Sequence, residues 1–262
     1  MSRLDLKFAE LRKLKKKAFI AFITGGYPDL DTTLKLILEF NRIGVDIIEI
    51  GVPFSDPMAD GPVIQAASQY ALKKNVHLAD ILNMVKLSRQ YTDIPICLMS
   101  YYNPIFCFGE EAFVRKARSS GVDGVIVPDL PPEEAVSLRK AACKSGLDTI
   151  FFIAPTTSRE RIRFVTKVST GFIYYVSLTG VTGARQRLPA DISTQLKMIK
   201  RQTDKPVCVG FGISSAAQAK ALQRVADGVI VGSAIVKSIR EHIGHKGLVS
   251  KVGAFVSSLK GR

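Results

Sequence analysis

A glutamate stands inside an apolar run, Ile47-Ile48-Glu49-Ile50-Gly51. A charge among such neighbours is costly to bury unless it has a partner or a task. Burial also raises a carboxyl's pKa, the property a group needs to donate and accept a proton near neutrality. The following segment, Val52-Pro53-Phe54-Ser55-Asp56-Pro57-Met58-Ala59-Asp60-Gly61-Pro62, is rich in proline and glycine and can hold a second carboxylate in place. Asp56 and Asp60 are both available, and either can equally cap a turn or the next helix. Such a pair suits proton transfer with charge stabilisation.

Two further segments suit phosphate. Gly210-Phe211-Gly212-Ile213-Ser214-Ser215 and Val231-Gly232-Ser233-Ala234 each run from an apolar stretch into helical sequence. Glycine lets the backbone approach a ligand, and the free N–H groups of a helix start bind anions. One such turn also fits ordinary capping, but two in succession point to a small phosphorylated substrate. Gly180-Val181-Thr182-Gly183-Ala184 has the glycines of a lid, or simply of a loop. His77, His242 and His245 show no ligand spacing with cysteine or carboxylate, so no metal is expected.

The elements that position these residues alternate. Eight runs rich in β-branched and aromatic residues fall at 19–23, 46–50, 96–99, 124–127, 149–153, 172–176, 207–209 and 228–231. Amphipathic stretches separate them, such as Leu34, Ile37 and Leu38, or Phe113, Val114 and Ala117 before a stop at Gly121. Strict alternation implies parallel strands joined by right-handed crossovers, and eight close a barrel. The expected fold is α/β, a single (β/α)8 TIM barrel over residues 1–262 with additional N-terminal and C-terminal helices. Their stripes are Leu4, Phe8 and Leu11 at one end and Leu248, Val252 and Phe255 at the other. An open doubly wound sheet is the alternative, but no GxGxxG opens the first helix. The long segments after the second and sixth strands lie where barrel chemistry is built.

Composition sets limits. The 262 residues hold 47% hydrophobic and 23% charged residues, and no apolar stretch long enough to span a bilayer. Without a signal-peptide pattern, a soluble cytoplasmic protein is expected. Cys97, Cys107, Cys143 and Cys208 form no CxxC pair and read as reduced core residues. Lys+Arg 37 against Asp+Glu 23 gives a net charge of +14. The basic residues are concentrated in the first seventeen positions and otherwise scattered over expected helices, with no aromatic interleaving, so a basic face that attracts a phosphorylated ligand is expected rather than nucleic-acid binding.

Taken together, Phe22-Ile23-Thr24-Gly25-Gly26-Tyr27-Pro28, the Glu49–Pro62 segment, Ser177-Leu178-Thr179-Gly180-Val181-Thr182-Gly183-Ala184 and Gly210-Phe211-Gly212-Ile213 closely resemble the tryptophan synthase alpha subunit across nearly the whole chain, in the family's order. The resemblance implies cleavage of indole-3-glycerol phosphate to indole and glyceraldehyde 3-phosphate, a retro-aldol reaction with no cofactor in this subunit. Glu49 then matches the general acid/base, and Asp60 the carboxylate that holds the indole N–H. Tyr174 matches an active-site tyrosine and Thr182 a lid residue that meets Asp60. Gly183, Phe211, Gly212, Gly232 and Ser233 match the substrate and phosphate cradle, and Phe22, Met99 and Ile126 the indole pocket. The implied partner is a pyridoxal-phosphate beta subunit in an alpha-beta-beta-alpha heterotetramer, met through Pro53, Asp56, Asn103, Pro104 and Pro131. Leu178 and Phe172 stand where some members carry arginine and tyrosine, and Arg185-Gln186-Arg187 is likewise a variable stretch.

Two other readings compete. Another barrel enzyme of phosphorylated sugars would share the phosphate turns but not Glu49 with its Pro-Phe-Ser-Asp-Pro segment. A catalytically weak or inactive alpha subunit acting mainly as allosteric activator of its beta partner would retain binding and loop closure; retention of both carboxylates argues against it.

Overall fold

The computed structural model describes residues 1–176, 192–210 and 212–261. Its strands are β1 (Ala18–Thr24), β2 (Ile47–Gly51), β3 (Ile96–Met99), β4 (Gly124–Ile126), β5 (Asp148–Ile150), β6 (Phe152–Ile153), β7 (Ile173–Val176), β8 (Val207–Gly210) and β9 (Gly228–Val231). They pair in the order β5-β4-β3-β2-β1-β9-β8-β7-β6. Every pairing is parallel. The two ends of this sheet, β5 and β6, are separated along the chain by Phe151 alone, so the sheet curls into a ring of eight runs.

The fifth run was expected to be one strand over 149–153, and here it is two. Residues 148–150 bond to β4, whereas residues 152–153 bond to β7. The stagger of strands around a barrel offsets the two neighbours along the strand between them, so different residues serve each side. Numbered around the ring, β8 and β9 are the seventh and eighth strands.

Period-two alternation sorts the side chains. Phe19, Ala21 and Ile23 of β1 pack outward with Leu36, Ile37 and Phe40 of the helix Leu30–Arg42. Ala18 and Ile20 of the same strand join an inner cluster with Ile47, Cys97, Ile126, Ile150, Phe172, Tyr174, Cys208 and Ile230. Cys97 and Cys208 are thus core thiols as expected, but Cys107 and Cys143 are exposed on helices, which corrects their reading as core residues. Both fall in the amphipathic helices outside the barrel, on positions that face away from it.

Aspartates at the strand starts lock the register. Asp46 Oδ2 accepts from the Phe19 amide at 2.8 Å, Asp123 Oδ2 from Ile96 at 2.9 Å and Asp227 Oδ2 from Val207 at 3.1 Å. Each therefore ties the beginning of its own strand to the beginning of a neighbour.

The N-terminal helix Arg3–Lys13 closes the end of the barrel where the strands begin. Ser2 and Asp5 form its capping box, with Asp5 N donating to Ser2 Oγ at 3.2 Å and Ser2 N to Asp5 Oδ2 at 3.0 Å. Leu4, Phe8 and Leu11 all enter the inner cluster. Arg3 reaches Asp123 beside β4, and Arg12 reaches the Asp204 carbonyl ahead of β8. These anchors lie three runs apart around the eight-run ring, so the helix spans much of its width. The C-terminal helix Leu248–Leu259 buries Leu248, Val252 and Val256 in the outer cluster, with Phe255 partly buried. Among the described residues no helix is long and apolar enough to cross a membrane.

Candidate active site

A cavity of about 460 Å³ opens at the end of the barrel where the strands finish. Its walls come from strand ends and from the turns that follow them. Phe22 of β1, Glu49 of β2, Met99 of β3, Phe152 of β6, Tyr174 of β7, Gly210 of β8 and Ile230 of β9 all face it. Two residues beyond Tyr174 and Ile230, Val176 and Gly232 face it as well, as alternation requires.

Glu49 is fully buried, and neither carboxylate oxygen has a hydrogen-bond partner. Burial first, and the negative charge of Asp60 second, push its carboxyl up to about 8. It is therefore mostly protonated at neutral pH. Asp60 sits in the segment after β2, turned by Asp60 N donating to the Pro57 carbonyl at 3.0 Å. Burial raises its carboxyl to about 6, against the pull of a hydrogen bond from the Tyr101 hydroxyl. The same hydroxyl accepts from the Ala59 amide at 2.9 Å, and the Tyr101 ring stacks on Phe54 with centroids 5.2 Å apart. Gln65 Nε2 donates to the Asp60 carbonyl at 2.8 Å. One carboxyl holding its proton beside one that has lost it is an acid and a charge stabiliser in a single pocket.

Another part of the cavity wall has the reverse polarity. Gly232 caps the helix Ser233–Glu241, and both Gly232 and Ser233 line the cavity. The first amides of that helix have no partners within it and carry the positive end of its dipole. Gly212 and Ile213 line the adjacent wall, ahead of the helix Ala216–Gln223 capped by Ser215. An anion is thus favoured here and an apolar ring with a polar N–H near the carboxylates.

Two glycines make room for the aromatic walls. A Cβ on Gly210 would lie 2.5 Å from Tyr174 Cε1, and one on Gly51 would lie 2.6 Å from Phe22 Cζ. Both rings occupy space that only glycine leaves open.

Of the residues singled out from sequence, Glu49, Asp60, Phe22, Met99, Tyr174, Gly212, Gly232 and Ser233 converge on this cavity. Ile126 does not: it is fully buried in the inner cluster, away from the lining, because it lies one inward-facing position short of Pro128, which does line it. Thr182, Gly183, Phe211, Leu178 and the stretch Arg185-Gln186-Arg187 lie outside the described residues. Asp56, Asn103 and Pro131 are exposed and Pro104 is half-buried, whereas Pro53 is buried, which removes it from the accessible surface expected of a contact residue. Sequence reasoning missed Ile64, Pro128, Phe152, Val176 and Ile230, and reached Ala59, Gly61 and Ile213 only as parts of longer segments. Alternation along the strands was the signal for Phe152, Val176 and Ile230. Tyr101 was missed too; its only signal was its place just past the end of β3. No group of three or more potential ligands that could hold a metal ion occurs among the described residues.

Comparison with known proteins agrees over the whole length. A family profile described as tryptophan synthase alpha chain matches residues 8–261. The tryptophan synthase alpha chain of Geotalea uraniireducens (strain Rf4) is 52% identical over 260 residues, covering 99% of this chain and 97% of that one. The crystal structure of tryptophan synthase subunit alpha from Legionella pneumophila str. Paris superposes with a TM-score of 0.92 at 39% identity, covering 99% and 97%. The tryptophan synthase complex from Pyrococcus furiosus contains a chain that matches with a TM-score of 0.86 at 37% identity, covering 94% and 98%.

Proposed function

The chain belongs to the tryptophan synthase alpha chain family, and from that premise we propose that Glu49 and Asp60 carry its reaction. The reaction is the family's lyase step, cleavage of indole-3-glycerol phosphate to indole and glyceraldehyde 3-phosphate. What supports the assignment is the buried, unpartnered Glu49 facing the same cavity as Asp60.

The substrate lies with its phosphate on the amides at Gly232 and Ser233 and its indole ring among Phe22, Met99 and Phe152. Glu49 starts protonated and gives its proton to the ring carbon that bears the glycerol chain. Asp60, ionised at neutral pH, accepts a hydrogen bond from the indole N–H and stabilises the positive charge that develops on the ring. Glu49, now a carboxylate, takes the proton of the hydroxyl next to the breaking bond. The carbon–carbon bond breaks, its electron pair returns to the ring, and an aldehyde forms on the departing fragment. Atoms and charge balance without a cofactor in this chain. Tyr174 walls the ring.

The partner is a pyridoxal-phosphate beta subunit in a cytoplasmic alpha-beta-beta-alpha assembly, met through the exposed Asp56, Asn103 and Pro131 with Pro104. The Pyrococcus furiosus relative was solved as a complex, which supports this reading. Glyceraldehyde 3-phosphate release, measured for the purified chain alone and with a beta subunit, tests both parts. Stimulated turnover that Glu49→Gln abolishes is the expected result. A chain without turnover that still raises the beta subunit's rate would instead be an activator only.

A further inference from the structure

Glu49 projects above a cluster of apolar side chains that includes two thiols. Below it on β2 is Ile47, and across the strand pairing stands Cys97 of β3. That floor also includes Ile20, Ile126, Ile150, Phe172 and Cys208. A column of rings, Phe8 to Phe172 at 5.9 Å and Phe172 to Tyr174 at 6.4 Å, links the N-terminal helix to the wall of the cavity. Leu4 of that helix is fully buried, and its Cδ1 comes within 3.2 Å of where a Cβ on Gly124 would lie.

We infer that the N-terminal helix is a working part of the active site: by sealing the barrel floor with Leu4 and Phe8, it keeps water from the Glu49 carboxyl and so makes that group hold its proton. Leu4 and Phe8 are positioning residues in this account, since neither faces the cavity. The inference rests on the reading of Glu49 as the acid. Its physical basis is that neither Glu49 oxygen has a hydrogen-bond partner among the described residues, so water would be what stabilises the ionised form, and the packed floor excludes it from below. The cavity admits the substrate on the upper side. When the ring fills it, the floor bounds the carboxyl on its other side.

The ionisable groups facing Glu49 do not supply an opposite charge. They are Asp60 from the segment after β2, Cys97 from β3, Tyr174 from β7 and Cys208 from β8. Each is either negative or neutral at pH 7. At the lower rim, Asp123 is matched by Arg3 and Arg89. The Arg3–Asp123 pair also helps to pin the helix over the floor.

The test uses the full-length chain with indole filling the cavity, and a readout that does not depend on turnover. The infrared band of the protonated Glu49 carboxyl, assigned by its absence in Glu49→Gln, is titrated in Leu4→Ser, in Arg3→Ala and in Leu6→Ser, where Leu6 is the 55% exposed residue of the same helix. Leu4→Ser should move the midpoint down by about half a pH unit or more, a shift large enough to exceed ordinary scatter. Arg3→Ala should move it less in the same direction, and Leu6→Ser should leave it in place. An unmoved midpoint in a folded Leu4→Ser, or an equal shift in Leu6→Ser, would overturn the inference. If Leu4→Ser does not fold, Arg3→Ala decides alone. Full turnover by Glu49→Gln would remove the catalytic reading while leaving this titration just as decisive about the floor.

Discussion

The Tyr101 hydroxyl accepts from the Ala59 amide at 2.9 Å and donates to the Asp60 carboxylate, joining the end of β3 to the segment that carries the second carboxyl. Its ring is held against Phe54, so the hydroxyl has little freedom. Tyr101→Phe keeps the stacking and removes both hydrogen bonds. Losing a bond to a charged acceptor costs about 1.5–3 kcal/mol, so cleavage should fall roughly tenfold to a hundredfold. Because the bond favours ionised Asp60, its loss should also move the acidic limb of the pH profile upward. A uniform loss of rate at every pH would show that the tyrosine only braces the loop.

The parent profile should itself be a bell. Asp60 must be ionised, so activity falls as pH drops through about 6. Glu49 must be protonated, so activity also falls as pH rises through about 8. The two carboxyls are coupled, so these limbs belong to the pair. Turnover under saturating substrate from pH 5 to 10 checks both limbs, and an activity that keeps rising beyond pH 9 would exclude a protonated Glu49 as the acid.

Most of this arrangement was legible before any coordinates, and what was not has physical reasons. Glu49 announced itself because a charge in a β-branched run is expensive, and the two glycine turns because they repeat a barrel's phosphate site. The eight runs read as strands through their uniform apolarity. That same uniformity hid the break at Phe151, since hydrogen-bond stagger leaves no mark on hydrophobicity. Ile126 looked like a pocket residue because depth along a strand is invisible in sequence: one step of two residues separates it from Pro128 at the rim. Tyr101 was overlooked because its role is a contact with a loop forty residues earlier, which no local pattern records. Cys107 and Cys143 were misplaced by treating all four cysteines alike, although only Cys97 and Cys208 sit in strands.

Glu49→Gln should be more stable than the parent, although nearly inactive. Between about pH 4.5 and 8 the folded chain holds a proton on Glu49 that the unfolded chain has released, so the stability of the parent falls as pH rises through that window. Glutamine carries no such penalty. The difference in unfolding free energy should grow with pH to of order 2 kcal/mol near neutrality, while cleavage drops by about 100-fold or more. Urea unfolding at pH 5 and 7.5 measures it; a glutamine variant less stable at the higher pH would contradict the buried, protonated state.

Asp123→Ala should be among the most damaging substitutions far from the cavity. Asp123 is fully buried, receives the Ile96 amide at 2.9 Å and pairs with Arg89 at 2.9 Å and Arg3 at 3.1 Å. Arg89 is itself largely buried and would keep its charge with only carbonyl partners, those of Gly121, Thr92 and Ile94. Removing one member of a buried pair costs about 3–5 kcal/mol. A urea midpoint within error of the parent would mean that the lower rim tolerates an unmatched guanidinium.

Gly210→Ala tests the aromatic wall itself. The backbone at Gly210 is not left-handed, so the only cost of a methyl group is crowding, and the atom it meets is Tyr174 Cε1 at 2.5 Å. Tyr174 is packed on its other side by Phe152, with centroids 4.8 Å apart, and cannot retreat that way. Its ring must then move into the cavity, where the substrate ring belongs. Overpacking of this kind costs about 1–3 kcal/mol. Here it should appear mainly as weaker substrate binding, with KM raised about tenfold and the melting temperature only slightly lowered. Unchanged KM together with a large loss of stability would mean that the strain is absorbed by the barrel and that Tyr174 keeps its place.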